Sequence, residues 1–120
     1  MDNRESAEMY LESIYVLSQE SDNVRKVDIS KYMGYAKPSV TRGINLLEAH
    51  GLVSIDESGS IHLTDEGEKK AHNIYERHTV LTKMFIKLGV DEEIASEDAC
   101  RIEHYISDTT FNAIKKHMKD

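Results

Sequence analysis

The chain has 120 residues, of which 39% are hydrophobic and only 7% aromatic, with no tryptophan. A chain of this length forms one ordinary domain or two small ones that share a core. The low aromatic content argues against a large β-sandwich, and the 31% of charged residues is typical of amphipathic helices with wet outer faces. Composition therefore predicts a mainly α protein.

Composition also disfavours membrane insertion and an oxidising compartment. No apolar run approaches the roughly 20 residues of a membrane helix, and no charged-then-apolar leader opens the chain. Cys100 is the only cysteine, so an internal disulfide is excluded. We therefore expect a soluble, cytoplasmic protein with no membrane partner.

The formal net charge of −7 argues at first against a nucleic-acid partner, because DNA phosphates require positive potential. The charge is unevenly distributed, however. Between residues 24 and 50, five basic side chains stand against two acidic ones, a local charge of +3 that leaves −10 for the rest. This distribution indicates one face for an anion and another for cations.

The first half of the chain is predicted to form three helices and a hairpin. Apolar spacing predicts helices over 5–20, 27–33 and 37–50, and the second and third end at glycines. Residues 52–55 and 61–63 flank a polar tip, which predicts a two-stranded hairpin. A short helix, a glycine turn, a longer helix and a hairpin follow one another as in a winged helix-turn-helix.

The second half is predicted to be helical throughout. Thr64 caps a long helix that runs to about residue 88, and Asp91 caps another over 92–107. A final helix starts at Asp108 and ends near residue 117. We expect two domains: a winged helix-turn-helix over residues 1–70 and a helical domain over residues 71–120.

The third helix is the predicted recognition helix, because its apolar stripe leaves a polar face free to reach base edges or phosphates. The wing tip and the second helix are expected to contact the DNA backbone. An ordinary solvated helix face, or a winged helix that docks a protein, are the alternatives. The predicted DNA contacts are Lys37, Pro38, Ser39, Thr41, Arg42 and Asn45 in this helix, with Lys26, Ser58 and Ser60 elsewhere.

Near the end of the chain, Cys100, Glu103 and His104 stand at positions i, i+3 and i+4. A helix with this spacing projects a thiol, a carboxylate and an imidazole onto one face. All three are ligands for transition metals, so the triplet predicts a metal clamp. The alternative is a small buried cysteine beside a solvated Glu and His.

Two other segments carry donors of the same kind. Met9 and Glu12 lie one turn apart on the first helix, and His78 lies midway along the long helix. Alone, Met9 is ordinary core filling and His78 an ordinary hydrogen-bonded histidine. They point to a metal site only beside the late triplet.

These segments together resemble the diphtheria toxin repressor (DtxR/MntR) family of iron- and manganese-dependent regulators. The resemblance covers nearly the whole chain and implies a metal-dependent DNA-binding repressor. It also implies a homodimer with a helical C-terminal metal-binding and dimerisation domain, a palindromic double-stranded DNA operator, and a short form without an SH3-like third domain. The matching segments are Glu8–Tyr15, Pro38–Thr41, Leu63–Gly67, His78 and Cys100–His104.

The resemblance also assigns ligands. Met9, Cys100, Glu103 and His104 match the activating site of the iron-type members. In the manganese-type pattern, which has carboxylates where Met9 and Cys100 stand, Glu12 joins a binuclear cluster. The other members of that cluster are His78 and Glu103.

One feature of the iron-type pattern is missing. Its ancillary site requires a carboxylate and a histidine where this chain has Thr82 and Ser96. Either one or two ions per subunit are therefore expected. The sulfur donors favour Fe(II), Co(II), Ni(II) or Zn(II) over Mn(II). Because availability also decides the physiological metal, we predict Fe(II), with Mn(II) next.

Two other functions remain open at this point. A constitutive winged-helix regulator could use Cys100 to sense oxidants, and a small metalloenzyme could use Glu103 as a base. The sequence contains neither an HExxH motif nor a glycine-rich phosphate loop, so we expect no enzyme.

Overall fold

Six helices and one hairpin make up the computed structural model, which describes residues 3–119. The mainly α fold with winged helix-turn-helix order is confirmed. The chain divides into two compact units, residues 1–72 and 73–120, which are taken separately below. The elements are α1 Asn3–Ser18, α2 Lys26–Met33, α3 Lys37–Ala49, β1 Val53–Ile55, β2 Ile61–Leu63, α4 Asp65–Lys87, α5 Glu92–Ile102 and α6 Asp108–Lys119.

The first unit is built around one apolar core. Helices α1, α2 and α3 contact one another, α3 contacts β1, and α1 contacts β2. The predicted stripe of α3 is fully buried in this core. The core consists of Tyr10, Leu11, Ile14, Val24, Ile29, Val40, Ile44, Leu47, Leu52, Val53, Ile61 and Ala71.

Local signals set the helix ends of this unit. Asp28 accepts a hydrogen bond from the backbone N–H of Arg25 at 2.9 Å, which caps α2. Gly34 ends α2 with φ of 74°, a left-handed conformation that other residues adopt at a cost. Thr64 Oγ1 accepts from the N–H of Gly67 at 3.1 Å, which confirms the predicted cap of α4.

The hairpin pairs β1 with β2 antiparallel, with Ser54 opposite His62. Its turn is organised by Asp56, whose Oδ1 accepts hydrogen bonds from the N–H and hydroxyl of Ser58 and the N–H of Ser60. Hydrogen bonds from Ser58 and His62 hold the pKa of Asp56 far below its usual value. The wing is therefore an ordered turn with an ionised carboxylate.

Three helix C-termini differ from the sequence prediction by more than one residue, and that of α6 is Lys119 and not residue 117. α1 ends at Ser18 and not at residue 20, because the N–H groups of Gln19 and Glu20 bond to carbonyls three residues back and tighten the chain into a turn. α5 ends at Ile102 and not at residue 107. This difference arises in the second unit, where a turn over residues 103–106 follows α5.

The second unit contains the rest of α4 with α5 and α6. Its α5 begins as predicted, with the Asp91 carboxylate accepting from the N–H of Glu93 at 3.1 Å. None of the helices within residues 3–119 is long and apolar enough to cross a membrane. The buried apolar side chains of this unit are Ile74, Leu81, Ala95, Ala99 and Phe111.

Gly67 tests the packing of the first unit. A Cβ added at this position would lie 1.9 Å from the carbonyl oxygen of Leu52, a backbone atom that cannot rotate away. We expect Gly67→Ala to lower the free energy of unfolding by about 1–3 kcal/mol, the usual cost of overpacking. Thermal and urea unfolding measure this. Lys69→Ala, at an exposed position on the same helix, is the control, and equal stability of the two variants would contradict the packing described.

Candidate metal centre and DNA interface

The late triplet does not lie on one regular helix. Glu103 follows the last residue of α5, and His104 lies in the turn after it. The backbone carbonyl of Glu103 accepts a hydrogen bond from the Arg77 guanidinium at 3.1 Å, in place of a helical N–H. Cys100 lies within α5, and Glu103 still has helical dihedral angles with its N–H bonded to the Ala99 carbonyl, so the predicted helical geometry fails only at His104.

The carboxylate of Glu103 lies between two imidazole rings. Its Oε2 is 3.0 Å from Nδ1 of His78, and its Oε1 is 3.3 Å from Nε2 of His104. The side chain of Glu103 is 0% exposed, and its Oε1 accepts no hydrogen bond from any residue that the structure describes. A carboxylate oxygen that is buried in this way is costly unless a cation or a donor satisfies it.

The electrostatics of this centre keep the carboxylate charged. Burial raises the pKa of Glu103, but the imidazoles of His104 and His78 outweigh burial and hold that pKa below its ordinary value. An ionised carboxylate flanked by imidazole nitrogens is a donor set that binds Fe, Mn, Co or Zn. The residues present therefore fit a divalent transition metal.

The two residues that depart from the iron-type pattern both contact His78. Ser96 Oγ lies 3.4 Å from Nε2 of His78, and Thr82 Oγ1 donates to the backbone carbonyl of His78 at 2.7 Å. A hydroxyl beside a ring nitrogen orients the ring and selects its tautomer. Both hydroxyls thus lie where they support His78.

The other three predicted ligands are all half-buried. Cys100 is half-buried in the last turn of α5, one turn before Glu103. Met9 and Glu12 are half-buried on α1, in the first unit. Their membership of the same site stays a prediction.

The predicted DNA contacts group at the exposed side of α3. Lys37, Arg42 and Asn45 are exposed, whereas Ser39 and Thr41 are half-buried. Pro38 is exposed in the first turn of α3, and Lys26 begins α2. Ser39 already has two contacts, because its Oγ accepts from Arg42 Nη2 at 3.3 Å and its carbonyl accepts from Tyr10 Oη at 3.1 Å.

The wing corrects one expectation and adds one residue. Ser60 is buried and its N–H bonds to Asp56, so it is not available to DNA, whereas Ser58 is exposed. The sequence prediction of DNA contacts did not include Arg25. Its exposed guanidinium lies beside the wing, since Nη1 is 3.4 Å from the position that a Cβ on Gly59 would take. Its place in the basic stretch over residues 24–50 was the sequence signal that pointed to it.

Both halves of the chain match known families. Residues 3–60 match the N-terminal DNA binding domain of the iron dependent repressors, and residues 64–120 match their metal binding and dimerisation domain. The chain is 35% identical over 112 residues to the transcriptional regulator MntR of Escherichia coli, covering 93% of this chain and 72% of that protein. It is 27% identical over 117 residues to the diphtheria toxin repressor of Corynebacterium diphtheriae, covering 97% and 52%.

A solved structure of a repressor is also similar to this chain. A manganese-dependent transcriptional repressor in complex with manganese has a TM-score of 0.85 and 27% identity, over 94% of this chain and 52% of that one. The chain thus spans about half the length of that structure and of the diphtheria toxin repressor.

Matches over both units place this chain among the metal-dependent DNA-binding transcriptional repressors, a class of regulators and not of enzymes. It belongs to the iron-dependent repressor family, the family of the diphtheria toxin repressor and MntR. The resemblance drawn from the sequence is confirmed, and the metalloenzyme alternative is excluded. A divalent metal, DNA and a second copy of the chain are the partners of this class.

Glu103→Gln tests the centre. The neutral amide removes the charge between His78 and His104 and leaves one carbonyl oxygen as a donor, so we expect Mn(II) affinity to fall by more than the about 10–100-fold typical of outer-shell changes. Isothermal titration calorimetry measures the affinity. Glu97→Gln, an exposed carboxylate on α5, is the matched control. Equal affinities for the two variants would contradict the assignment of Glu103.

Proposed function

We propose that this chain represses transcription when a divalent transition metal binds the centre formed by His78, Glu103 and His104. The carrying observation is the buried carboxylate of Glu103 between two imidazoles, with one oxygen that accepts no hydrogen bond within the described residues. We further propose that Cys100 supplies a thiolate. Met9 and Glu12 of α1 complete the ligand set, for one or two ions per subunit.

The switch rests on charge. The chain carries −7 overall, so its affinity for DNA is limited until positive charge is added. The bound ion supplies this charge and neutralises the carboxylates around it. Donors from α1 and from the second unit then favour one arrangement of the DNA-binding unit over others. Couplings of this kind are worth about 1–3 kcal/mol, or about 5–150-fold in DNA affinity.

The choice of metal follows from the donors. The sulfur atoms of Met9 and Cys100 are softer ligands than carboxylates and favour Fe(II), which we propose as the first metal. Mn(II) is the second candidate, because it is the metal in the similar solved repressor and because Glu12 adds a hard carboxylate.

Exposed apolar side chains on the second unit fit a homodimer. Leu88 is 74% exposed, and Ile94 and Ile86 lie exposed on the neighbouring segments. Isolated large apolar side chains are common on surfaces, but three exposed within residues 86–94 are more than single side chains left in water. We propose that this segment pairs with its copy across a two-fold axis.

A two-fold dimer fits a palindromic operator with half-sites about 34 Å apart, one turn of DNA. In each half-site α3 lies in the major groove, with Arg42 and Asn45 toward base edges and Lys37 toward phosphates. Residues 1–70 form the DNA-binding domain and residues 71–120 the metal-binding and dimerisation domain. We place the protein in the cytoplasm, where its operator is.

His104→Ala tests the switch. We expect the wild-type chain to bind operator DNA about 5–150-fold more tightly with metal, and His104→Ala to lose this difference, because the centre loses one imidazole. Fluorescence anisotropy with and without Mn(II) measures the effect. His104 is buried, so the metal-free melting temperature is recorded in parallel and His104→Gln is included as a less disruptive variant. Metal-dependent binding by both variants would rule out the assigned site.

Arg25→Ala tests the DNA interface. The substitution leaves the cap of α2 intact, because Asp28 bonds the backbone N–H of Arg25 and not its side chain. We expect weaker binding to all sequences alike and a slope of log K against log salt that is smaller by about 1, the loss of one phosphate contact. Anisotropy titrations across a salt series measure this. Lys69→Ala should leave the slope unchanged, and a matching change there would contradict a specific contact.

Cys100→Glu tests the metal preference. The substitution replaces a soft donor by a hard one, so we expect activation of DNA binding by Mn(II) to rise relative to activation by Fe(II) under anaerobic conditions. Cys100→Ser, which removes the thiol without adding charge, is the control. Activation of the wild type by Mn(II) alone, with no response to Fe(II), would contradict the proposed metal order. DNA binding that needs no metal and is lost with peroxide would favour the thiol-sensing alternative.

A further inference from the structure

The second unit contains one buried cation of its own, the guanidinium of Arg77. This residue immediately precedes His78 on α4 and is only 6% exposed. Arginine stays protonated under all ordinary conditions, so a full positive charge is always present at this place. A buried charge of this kind destabilises the fold unless it is fully paired. The groups that pair with Arg77 therefore indicate which parts of the backbone it holds in place.

The partners lie on the turn that carries the proposed ligands and on the helix after it. Nη1 of Arg77 donates to the backbone carbonyls of Glu103 at 3.1 Å and Ile106 at 2.5 Å. Nη2 donates to the carboxylate of Asp108, and the guanidinium lies 5.4 Å from the ring centroid of Phe111. One planar side chain thus connects α4 with both ends of the turn over residues 103–106 and with the first turns of α6.

This turn sets the position of the Glu103 carboxylate. The N–H of Glu103 still bonds to the Ala99 carbonyl at 3.0 Å, but the Glu103 carbonyl lies beyond the last turn of α5, and the guanidinium donates to it. The geometry points to Arg77 as a positioning residue for the metal centre: we infer that it fixes the backbone of Glu103 so that the carboxylate meets His78 and His104. This inference rests on the proposed function of that centre.

The same helix offers a matched comparison. Glu76 of α4 forms an ion pair with Lys115 of α6 at 2.9 Å, and both side chains are about one-third exposed. This pair joins the same two helices as Arg77 but contacts neither Glu103 nor the turn. If Arg77 only holds α4 to α6, loss of either interaction should change metal binding to a similar extent. If Arg77 positions Glu103, loss of Arg77 alone should weaken metal binding.

The experiment uses the full chain as Arg77→Met, Arg77→Lys and Lys115→Met. Each variant is titrated with Co(II), and the d–d absorption spectrum of the bound ion is recorded with the dissociation constant. Thermal unfolding without metal gives the stability of each variant. All titrations are performed well below the lowest melting temperature, so that only folded protein is compared.

We expect Arg77→Met to bind Co(II) about 10–100-fold more weakly with a changed spectrum, the scale for loss of an outer-shell partner. Arg77→Lys keeps the charge but not the two-pronged fork, so an intermediate loss and a smaller spectral change are expected. Lys115→Met should keep the wild-type affinity and spectrum even where its melting temperature falls.

Three results would overturn the inference. One is wild-type affinity and spectrum in Arg77→Met beside a lowered metal-free melting temperature, which marks a purely structural role. Another is an equal loss of affinity in Arg77→Met and Lys115→Met. If Arg77→Met does not fold, wild-type behaviour of Arg77→Lys is the third. A wild-type chain that binds no Co(II) would instead refute the proposed metal centre itself, a result that this design separates from the other three.

Discussion

The second unit depends on one electrostatic arrangement, the carboxylate of Glu103 held in a buried position between His78 and His104. Burial alone would favour the neutral acid, yet the two imidazoles lower the pKa of Glu103 and keep it charged. The Oε1 atom of Glu103 accepts no hydrogen bond from the described residues. Such a buried charged oxygen destabilises an ordinary core, whereas in a metal site it is available to bind a cation.

The first unit follows different rules. Its winged helix-turn-helix is held by an ordinary apolar core and by local caps, and Asp56 and Thr64 accept hydrogen bonds from backbone groups of the same unit. Its third helix carries exposed basic side chains, including Lys37 and Arg42.

Local signals made most of the fold predictable. Glycines, Pro38 and apolar periodicity placed α2, α3 and the strand over Ile61–Leu63 almost to the residue, because those boundaries depend on the nearby chain. The end of α5 could not be predicted. The Glu103 carbonyl at this end is bound by the guanidinium of Arg77, 26 residues earlier in the sequence, and periodicity carries no information about such a contact. The burial of Ser60 and the approach of Arg25 to the wing were missed for the same reason. Donor types at helical spacing singled out Glu103 and His104, and the structure brings both close to His78, although their service as metal ligands stays a prediction.

The most direct test is anomalous diffraction from crystals of the full chain that are grown with Mn(II) and without DNA. Data are collected on both sides of the manganese absorption edge. The account predicts an anomalous peak within bonding distance of the Glu103 carboxylate, with ring nitrogens of His78 and His104 beside it. A peak elsewhere on the chain, with the Glu103 carboxylate bound only to imidazoles in protein that still responds to metal, would contradict it.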